Sequence, residues 1–494
     1  MPPQLALLIT IILILYLFWV DRKKIEGVSR AIWIPLIWMF FSASRYVSQW
    51  LNLGAPTDTV DIYLEGNPVN AASFFILIAA GIIVLLRRRL NWVEIFTKNP
   101  WICLFFLFGA ISFFWSDYPF VSFKRWIKTL GNVIMVLVIL TEGRPYEAIG
   151  VIFRRLAFIC LPLSVLFIKY YPELGRDYHA TGTQMFTGVA LQKNGLGQIC
   201  LLFGIYFSWH ILLSRWKKFD TFDGAKSRFL NRVKKRRSVS TLSILWTPVL
   251  SEVEGSDRRV EWVDLERLHY SIYLIILPMI IWLFYMSNSA TSLVCMVVAV
   301  CLFLVGRMPS MALKPRRILA FGIVCIALFG VLELFFDATA TVINLLGRDP
   351  TLTTRVPKWE VLLSMVRDPV FGFGWESFWL GERQQIIYEK IGLRGNAHNG
   401  YLEMYLNLGF IGIFILVGWI LSGLIKIARH LVIDYPAAML RLCFIVVFAL
   451  YNWTEASFHG VSNMGILLLL GSMDIPQKHK LAQNDIGNRH QQIK

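Results

Sequence analysis

Apolar runs of roughly 16 to 24 residues recur along the chain between short charged breaks, the length a helix needs to cross a bilayer. In order, they predict spans near Leu5–Val20, Ala31–Phe41, Ala71–Leu86, Pro100–Trp115, Trp126–Leu140, Ile149–Ile168 and Leu196–Leu213. The series continues near Tyr270–Met286, Ala290–Val305, Ile318–Phe336, Met404–Ile425, Ala438–Leu450 and Gly460–Leu470. That makes about thirteen, twelve to fourteen being compatible with the pattern, and the shorter ones borrow flanking aromatic residues to reach both interfaces. The fold expected is all-α and polytopic.

Two long polar stretches interrupt the series. One is 215–269, rich in basic residues and holding Pro and Gly in SVSTLSILWTPVLSEVEGS, which reads as a loop expansion with no assigned function. The other, Leu345–Leu402, contains LLGRDPTLTTRVPKW, RDPVFGFGWESFW and GNAHNGYLEMYLNLGFIG. Loops this long are uncommon unless functional or disordered. Trp359, Trp375, Phe378 and Trp379 give this one enough to bury that order is expected. Gly372 and Gly374 are read as a tight turn. The chain therefore divides into N-terminal transmembrane helices (1–214), a basic cytoplasmic loop (215–269), transmembrane helices (270–336), one large, partly helical outer loop (337–403), C-terminal transmembrane helices (404–472) and a cytoplasmic tail (473–494).

Composition agrees: the 494 residues are 56% hydrophobic and 16% charged, and the mean hydropathy is +0.57. A net charge of +17 raises the question of nucleic acid. Much of that charge sits in 215–269, including Lys234–Arg237, and in the short breaks at Arg22–Lys24, Arg87–Arg89, Arg307–Arg317 and Lys426–His430. These breaks fall on alternate crossings, so orientation and attraction to anionic lipid account for the charge better, and membrane lipids rather than nucleic acid are the expected partner. The N-terminus is placed outside, as are 52–70, 170–191 and the long polar stretch. Met1–Val20 lacks a basic segment before its apolar run and reads as a retained helix. The seven cysteines all lie in apolar runs and are read as small hydrophobes. No phosphate-cradling glycine loop and no metal-binding histidine motif is present, so no cofactor or metal is expected.

Basic residues on the outer side run against the usual bias. They include Lys124, Arg125 and Lys128 after WSDYPFVSF, Arg176, Lys193, and the group Arg348, Arg355 and Lys358. Each alone reads as a snorkelling anchor or as a partner of Asp117, Asp177 or Asp349. Together, from several loops on one face, they read as a site for an anion at the lipid surface, where Arg suits bidentate phosphate contact and Lys acts as a point charge. His398, flanked by Asn396 and Asn399, has two readings: a capping histidine at the start of a helix, or a general base, since imidazole ordinarily titrates near neutral pH.

Several blocks resemble the O-antigen ligase and polymerase superfamily, polytopic enzymes that join lipid-linked glycans outside the inner membrane. The blocks are WSDYP with the following Lys-Arg, Gly188–Gly197 with Lys193 and Asn194, SNSATSL at Ser287–Leu293, LGRDPTLTTR at Leu346–Arg355, DPVFGFG at Asp368–Gly374, and His398–Gly412. They occur in the family's order, and the first, second and fourth are similar to the exopolysaccharide-polymerase branch. The resemblance implies that Arg355 and His398 match the family's essential arginine and histidine. It further implies that Arg176, Lys193 and Arg348 contact the donor pyrophosphate, and Asn194, Lys124, Arg125 and Asn399 are further substrate-binding candidates. Thr353-Thr354 where the family often has Thr-Gly, Gln192 where it often has His, and Ala290 where many ligases have Arg bear on the type of acceptor.

On this resemblance the expected partners are an undecaprenyl-pyrophosphate-linked glycan donor and a glycan or lipid-linked acceptor. The enzyme would lie in the bacterial inner membrane, multi-pass, with its site facing the periplasm. It would transfer or polymerise glycan by direct, inverting displacement without metal, His398 taking the acceptor hydroxyl proton and Arg355 holding the leaving pyrophosphate. The alternative is a non-catalytic transporter or flippase of lipid-linked oligosaccharide, which would need charged groups at mid-membrane and paired broken helices.

Overall fold

A computed structural model describes residues 1–22, 27–53, 66–178, 182–214, 270–312, 315–336, 355–392, 395–458 and 460–476. The expected basic loop at 215–269, most of the expected tail, and Arg348, Arg394, His179 and His459 lie outside the described residues. Each expected span corresponds to a helix. These are α1 (Pro3–Val20), α2 (Trp33–Ala43), α3 (Pro68–Arg87), α5 (Pro100–Ile111), α6 (Pro119–Leu140), α7 (Pro145–Tyr170) and α8 (Lys193–Trp209). Then come α9 (Tyr270–Ser287), α10 (Ala290–Gly306), α11 (Pro315–Phe336), α14 (Gly400–Ile433), α15 (Tyr435–Thr454) and α16 (Asn463–Ser472). Shorter helices are α4 (Trp92–Lys98), α12 (Arg355–Ser364) and α13 (Gly381–Ile391). One small hairpin, β1 (Arg176–Tyr178) with β2 (Gln184–Phe186), lies between α7 and α8. Among the described helices, seven are long and apolar enough to cross a membrane outright, or eight if the bent pair α4–α5 is one span. The protein is an all-α polytopic membrane protein.

The helices divide into a centre and a periphery. In the most apolar window of α15, 94% of residues are buried within the protein, against 11% for α1 and 22% for α3, so α15 forms the middle and α1 and α3 turn their side chains outward. Around α15 pack α10, α11, α14 and α16. Close approach depends on small residues, as is usual where lipid supplies no hydrophobic drive between helices. At Gly131 of α6 an added Cβ would stand 2.2 Å from Trp38 of α2, and the Trp38 indole donates to Asn132 Oδ1 at 2.9 Å.

The loops collect at two ends, and the charge-based assignment predicts which meet. At one end Ser29 and Arg88 converge on Glu142, Asn99 donates to the carbonyl of Asp474 at 2.8 Å, and the Trp209 indole donates to the carbonyl of Pro436 at 2.7 Å. At the other, Arg45 donates to the carbonyl of Leu174, Asn194 to Glu455 at 2.8 Å, and the Gly460 amide to Glu376 at 2.7 Å. Each of these contacts joins segments that alternate crossings place at a common end.

α14 differs from its expected start at Met404 in two ways. It begins at Gly400, capped by the side chain of Asn399, and it is broken at Gly409, whose φ is +62°. A continuous helix would pair the amides of Phe410 and Ile411 with the carbonyls of Leu406 and Asn407. Here the segment 369–374 slots into the break. Phe373 and Gly374 donate to the carbonyls of Leu406 and Asn407 at 3.1 and 2.8 Å, while Phe410 and Ile411 donate to Pro369 and Val370 at 2.9 and 3.3 Å. The groups freed by the break are thereby satisfied inside the protein, as membrane depth requires. Gly372 and Gly374, at φ +67° and +90°, form the expected turn. The following Trp375 packs on Gly109 of α5, where a Cβ would come within 2.4 Å of the ring.

Candidate active site

α6 carries the cationic wall of the site. Its helix starts at Pro119, a favoured first-turn residue, and not at the expected Trp126. Lys124 and Arg125 are therefore in its first turns. Arg125, Lys128, Thr129 and Asn132 follow helical spacing and share one face. Arg125 donates to the carbonyl of Glu376 at 2.8 Å, and Lys128 lies over the rings of Tyr46 and Phe74 at 5.0 and 4.8 Å. Asn132 donates to the carbonyl of Gly460 at 2.9 Å and so holds the turn after α15 against the same face.

Opposite stands Glu376, in the left-handed region at φ +48°. Its carboxylate accepts from the Gly460 amide, and Thr129 lies 3.5 Å from the same oxygen. A second carboxylate, Glu403, is buried at the start of α14. It accepts the Trp379 indole N–H at 2.9 Å and the amide of Ala397, and Asn407 lies 3.4 Å away. These contacts, with the Trp359 indole donating to the carbonyl of Ala397 at 2.8 Å, fix the turn before α14.

Between these walls lies a polar cavity of about 530 Å³, lined among others by Arg125, Lys128, Gln198, Glu376, Trp379 and Glu403. It carries both signs of charge, several amides and hydroxyls, and an aromatic face. Such a lining suits a polar ligand that itself bears an anion and hydroxyl groups.

His398 stands at the edge of this arrangement on the turn before α14. Its backbone is left-handed, φ +54°, and its amide donates to Asn396 Oδ1 at 3.0 Å. Non-glycine residues hold that conformation only when their surroundings over-determine it, and such strain clusters at functional sites. Nδ1 lies 3.7 Å from Glu455 Oε2, and Glu455 Oε1 accepts from Asn194 Nδ2. An imidazole next to a carboxylate that is itself held by a third group is the arrangement of a supported base.

A family model described as O-antigen ligase matches residues 274–417, which include the segment that enters the α14 break and His398. The exopolysaccharide production protein ExoQ of Rhizobium meliloti (strain 1021) is 25% identical over 332 residues, 64% of this chain and 62% of that protein. Both matches support the likeness to the O-antigen ligase and polymerase superfamily. The alignment thus spans just under two thirds of ExoQ. No solved structure matches the chain.

Seen against this family, the residues expected to act separate into groups. Arg125 reaches the cavity, and His398, Asn194 and Asn399 gather beside it. Two of these have other partners than substrate. Asn399 Oδ1 caps α14 through the amides of Tyr401 and Leu402 at 2.9 and 3.0 Å, and the Asn194 amide holds Glu455. Lys124 is exposed over the Phe120 ring, away from the cavity lining. Arg176 donates to the carbonyl of Ile168 at 2.9 Å and closes the end of α7, a common role for a cation at a helix C-terminus. Lys193 opens α8, half-buried, one residue from Asn194. Arg355 is the first residue of α12, where the backbone alone is described. Asp117, a candidate partner for a nearby cation, pairs with Arg383, whose guanidinium also stacks 3.7 Å over the Phe373 ring. Glu403 and Glu455 escaped the sequence reading. Each is a carboxylate at the end of an apolar run, and that is the signal that could have drawn attention to them.

Proposed function

We propose that the protein is a membrane glycosyltransferase that transfers or polymerises glycan from an undecaprenyl-pyrophosphate-linked donor onto an acceptor sugar hydroxyl. It would work at the periplasmic face of the bacterial inner membrane. The observation that carries this reading is the mixed-charge cavity that places Arg125 and Lys128 beside the turn bearing His398.

The chemistry balances without an energy source, because the donor is already activated. The acceptor oxygen attacks the anomeric carbon on the face opposite the pyrophosphate and forms the new C–O bond. The old bond from that carbon to the pyrophosphate oxygen breaks, and its electron pair leaves with the lipid diphosphate. His398 takes the acceptor hydroxyl proton, and the anomeric centre inverts. Cations at the cavity stabilise the charge that grows on the leaving group, where a poorly hydrated site makes each of them worth more than in water. Arg355 is assigned to this task with Arg125.

The test is a purified-component assay with lipid-pyrophosphate-linked oligosaccharide and no nucleotide. The parent protein lengthens the glycan. His398→Ala loses roughly 10²- to 10⁴-fold in rate, the ordinary worth of a general base, and Arg355→Ala loses activity comparably while both still insert and accumulate. Normal glycan from either variant would remove that residue from the mechanism.

A further inference from the structure

We infer that Glu455 is the positioning residue of His398, holding the ring in its working orientation and supporting the positive charge it acquires, an inference that rests on the glycosyl-transfer reading above. Glu455 directly follows α15, its amide donating to the carbonyl of Tyr451 at 3.0 Å. A carboxylate at a helix C-terminus faces the negative end of the macrodipole, which opposes it. What it meets instead comes from two other elements. Oε1 accepts Asn194 Nδ2 from the first turn of α8 at 2.8 Å, and Oε2 lies 3.7 Å from Nδ1 of His398 on the turn before α14. The Glu455 side chain is 13% exposed and that of His398 38%, so the carboxylate is the enclosed member of the pair and the imidazole the one open to a ligand.

The surrounding turn is held firmly enough to aim it. The Ser457 amide donates to Asn452 Oδ1 at 3.2 Å, and Gln198 of α8 reaches Ser457 Oγ at 3.4 Å. Gly400 lets the start of α14 lie against Asn452, where a Cβ would meet Oδ1 at 2.5 Å. A proton kept on Nδ1 toward Glu455 leaves Nε2 with the lone pair, which is the tautomer a base requires. At 3.7 Å the two groups stand slightly beyond hydrogen-bond length, as catalytic contacts often do before substrate arrives. As His398 takes the acceptor proton, the imidazolium and the carboxylate attract one another more strongly. Glu455 thus contributes mainly to the transition state and little to ground-state binding.

The experiment uses the full-length protein in lipid nanodiscs with lipid-pyrophosphate-linked oligosaccharide as the probe, comparing the parent with Glu455→Gln, His398→Ala and the double variant. Glu455→Gln keeps the shape of the side chain and removes its charge. It is expected to lower kcat by roughly 10- to 100-fold with KM for the donor within about 2-fold, and to melt with the parent. In the His398→Ala background the same change is expected to cost nothing further, because groups that act as a unit are not additive. A parental kcat in Glu455→Gln while His398→Ala is impaired would overturn the inference and leave the base assignment standing. An equal loss from Glu455→Gln with and without His398 would also overturn it, since the glutamate would then act independently of the ring. A parental rate in His398→Ala would instead overturn the base assignment, and this inference with it.

Discussion

Replacing Gly409 by alanine tests whether the inserted segment 369–374 is what builds the site. Gly409 sits at φ +62° and ψ −162°, a region essentially reserved for glycine, and occupying it costs another residue about 1–3 kcal/mol. The added Cβ would also stand 2.2 Å from the carbonyl oxygen of Val370. Both partners there are backbone, so the segment must retreat, and the four hydrogen bonds that cross the break stretch or fail at about 0.5–1.5 kcal/mol each. Retaining the break therefore costs about 3–9 kcal/mol.

The escape is for α14 to straighten, pairing 410 with 406 and 411 with 407 and expelling the segment. That exposes Phe373 and Trp375, 6% and 4% exposed at present, at about 2–3 kcal/mol each. The two routes cost similar amounts, and both displace Glu376, the last residue before the cavity wall closes. We expect Gly409→Ala to keep its helical content, to become sensitive to trypsin after Arg367 and Arg383, and to lose glycan transfer. Limited proteolysis with mass mapping, alongside far-UV circular dichroism, reads this directly. Parental resistance at both sites together with parental activity would refute the claim that the break and the inserted segment form one unit.

Two further outcomes follow from other contacts. Glu403→Ala leaves the Trp379 indole and the Ala397 amide without their buried acceptor, at about 1–3 kcal/mol each. Hydrogen exchange across 375–399 should rise and transfer should fall, with Glu403→Gln intermediate, and unchanged exchange at Ala397 would contradict the assignment. Asp474, at the end remote from the site, accepts from Arg441 Nη2 at 2.7 Å and lies 3.4 Å from His430 Nε2. Burial works to raise its pKa, but the Arg441 guanidinium above all, with His430 and Lys426, holds it well below the ordinary carboxylate range. A depressed folded-state pKa gives stability that is complete above the unfolded value of 3.8 and drains away as pH falls below it. Asp474→Asn should therefore cost roughly 2–4 kcal/mol at neutral pH, Arg441 being buried and Asp474 partly open to water. In detergent melts the gap to the parent should close as pH is lowered through about 4 and below. A gap that stays constant with pH would mean the contribution is not ionic.

The spans were legible because in a membrane the signal is length and apolarity, and neither needs tertiary context. Which loops share an end was legible from the alternation of the basic breaks, and loops placed at one end meet there. Boundaries slipped where polar residues continue a helix past its apolar run: Lys124 and Arg125 belong to α6, and Gly400–Glu403 belong to α14. Within the site, the sequence named residue types more readily than it separated their local contacts. Arg125 lines the cavity and His398 stands at its edge, whereas Arg176 ends a helix and Asn399 starts one, since a side chain that satisfies local backbone looks the same in sequence as one that awaits a ligand.

What local reading could not reach is the pairing across distance. Glu455 and His398 are separated by the whole of α14 and α15, and neither periodicity nor spacing links them. Glu376 and Glu403 likewise look like surface carboxylates until the segment 369–376 is seen to enter the break in α14. This suggests why the cavity gathers acids beside cations. On the proposed reading, Arg125 and Lys128 must remain charged and partly buried until an anionic substrate comes, and an unpaired buried cation would be costly. Glu376 supplies the balance: it stands across the cavity from Lys128 and takes Arg125 on its main-chain carbonyl, leaving its carboxylate to grip the Gly460 turn. The site can then stay folded while empty and still offer positive charge when a leaving group develops its own.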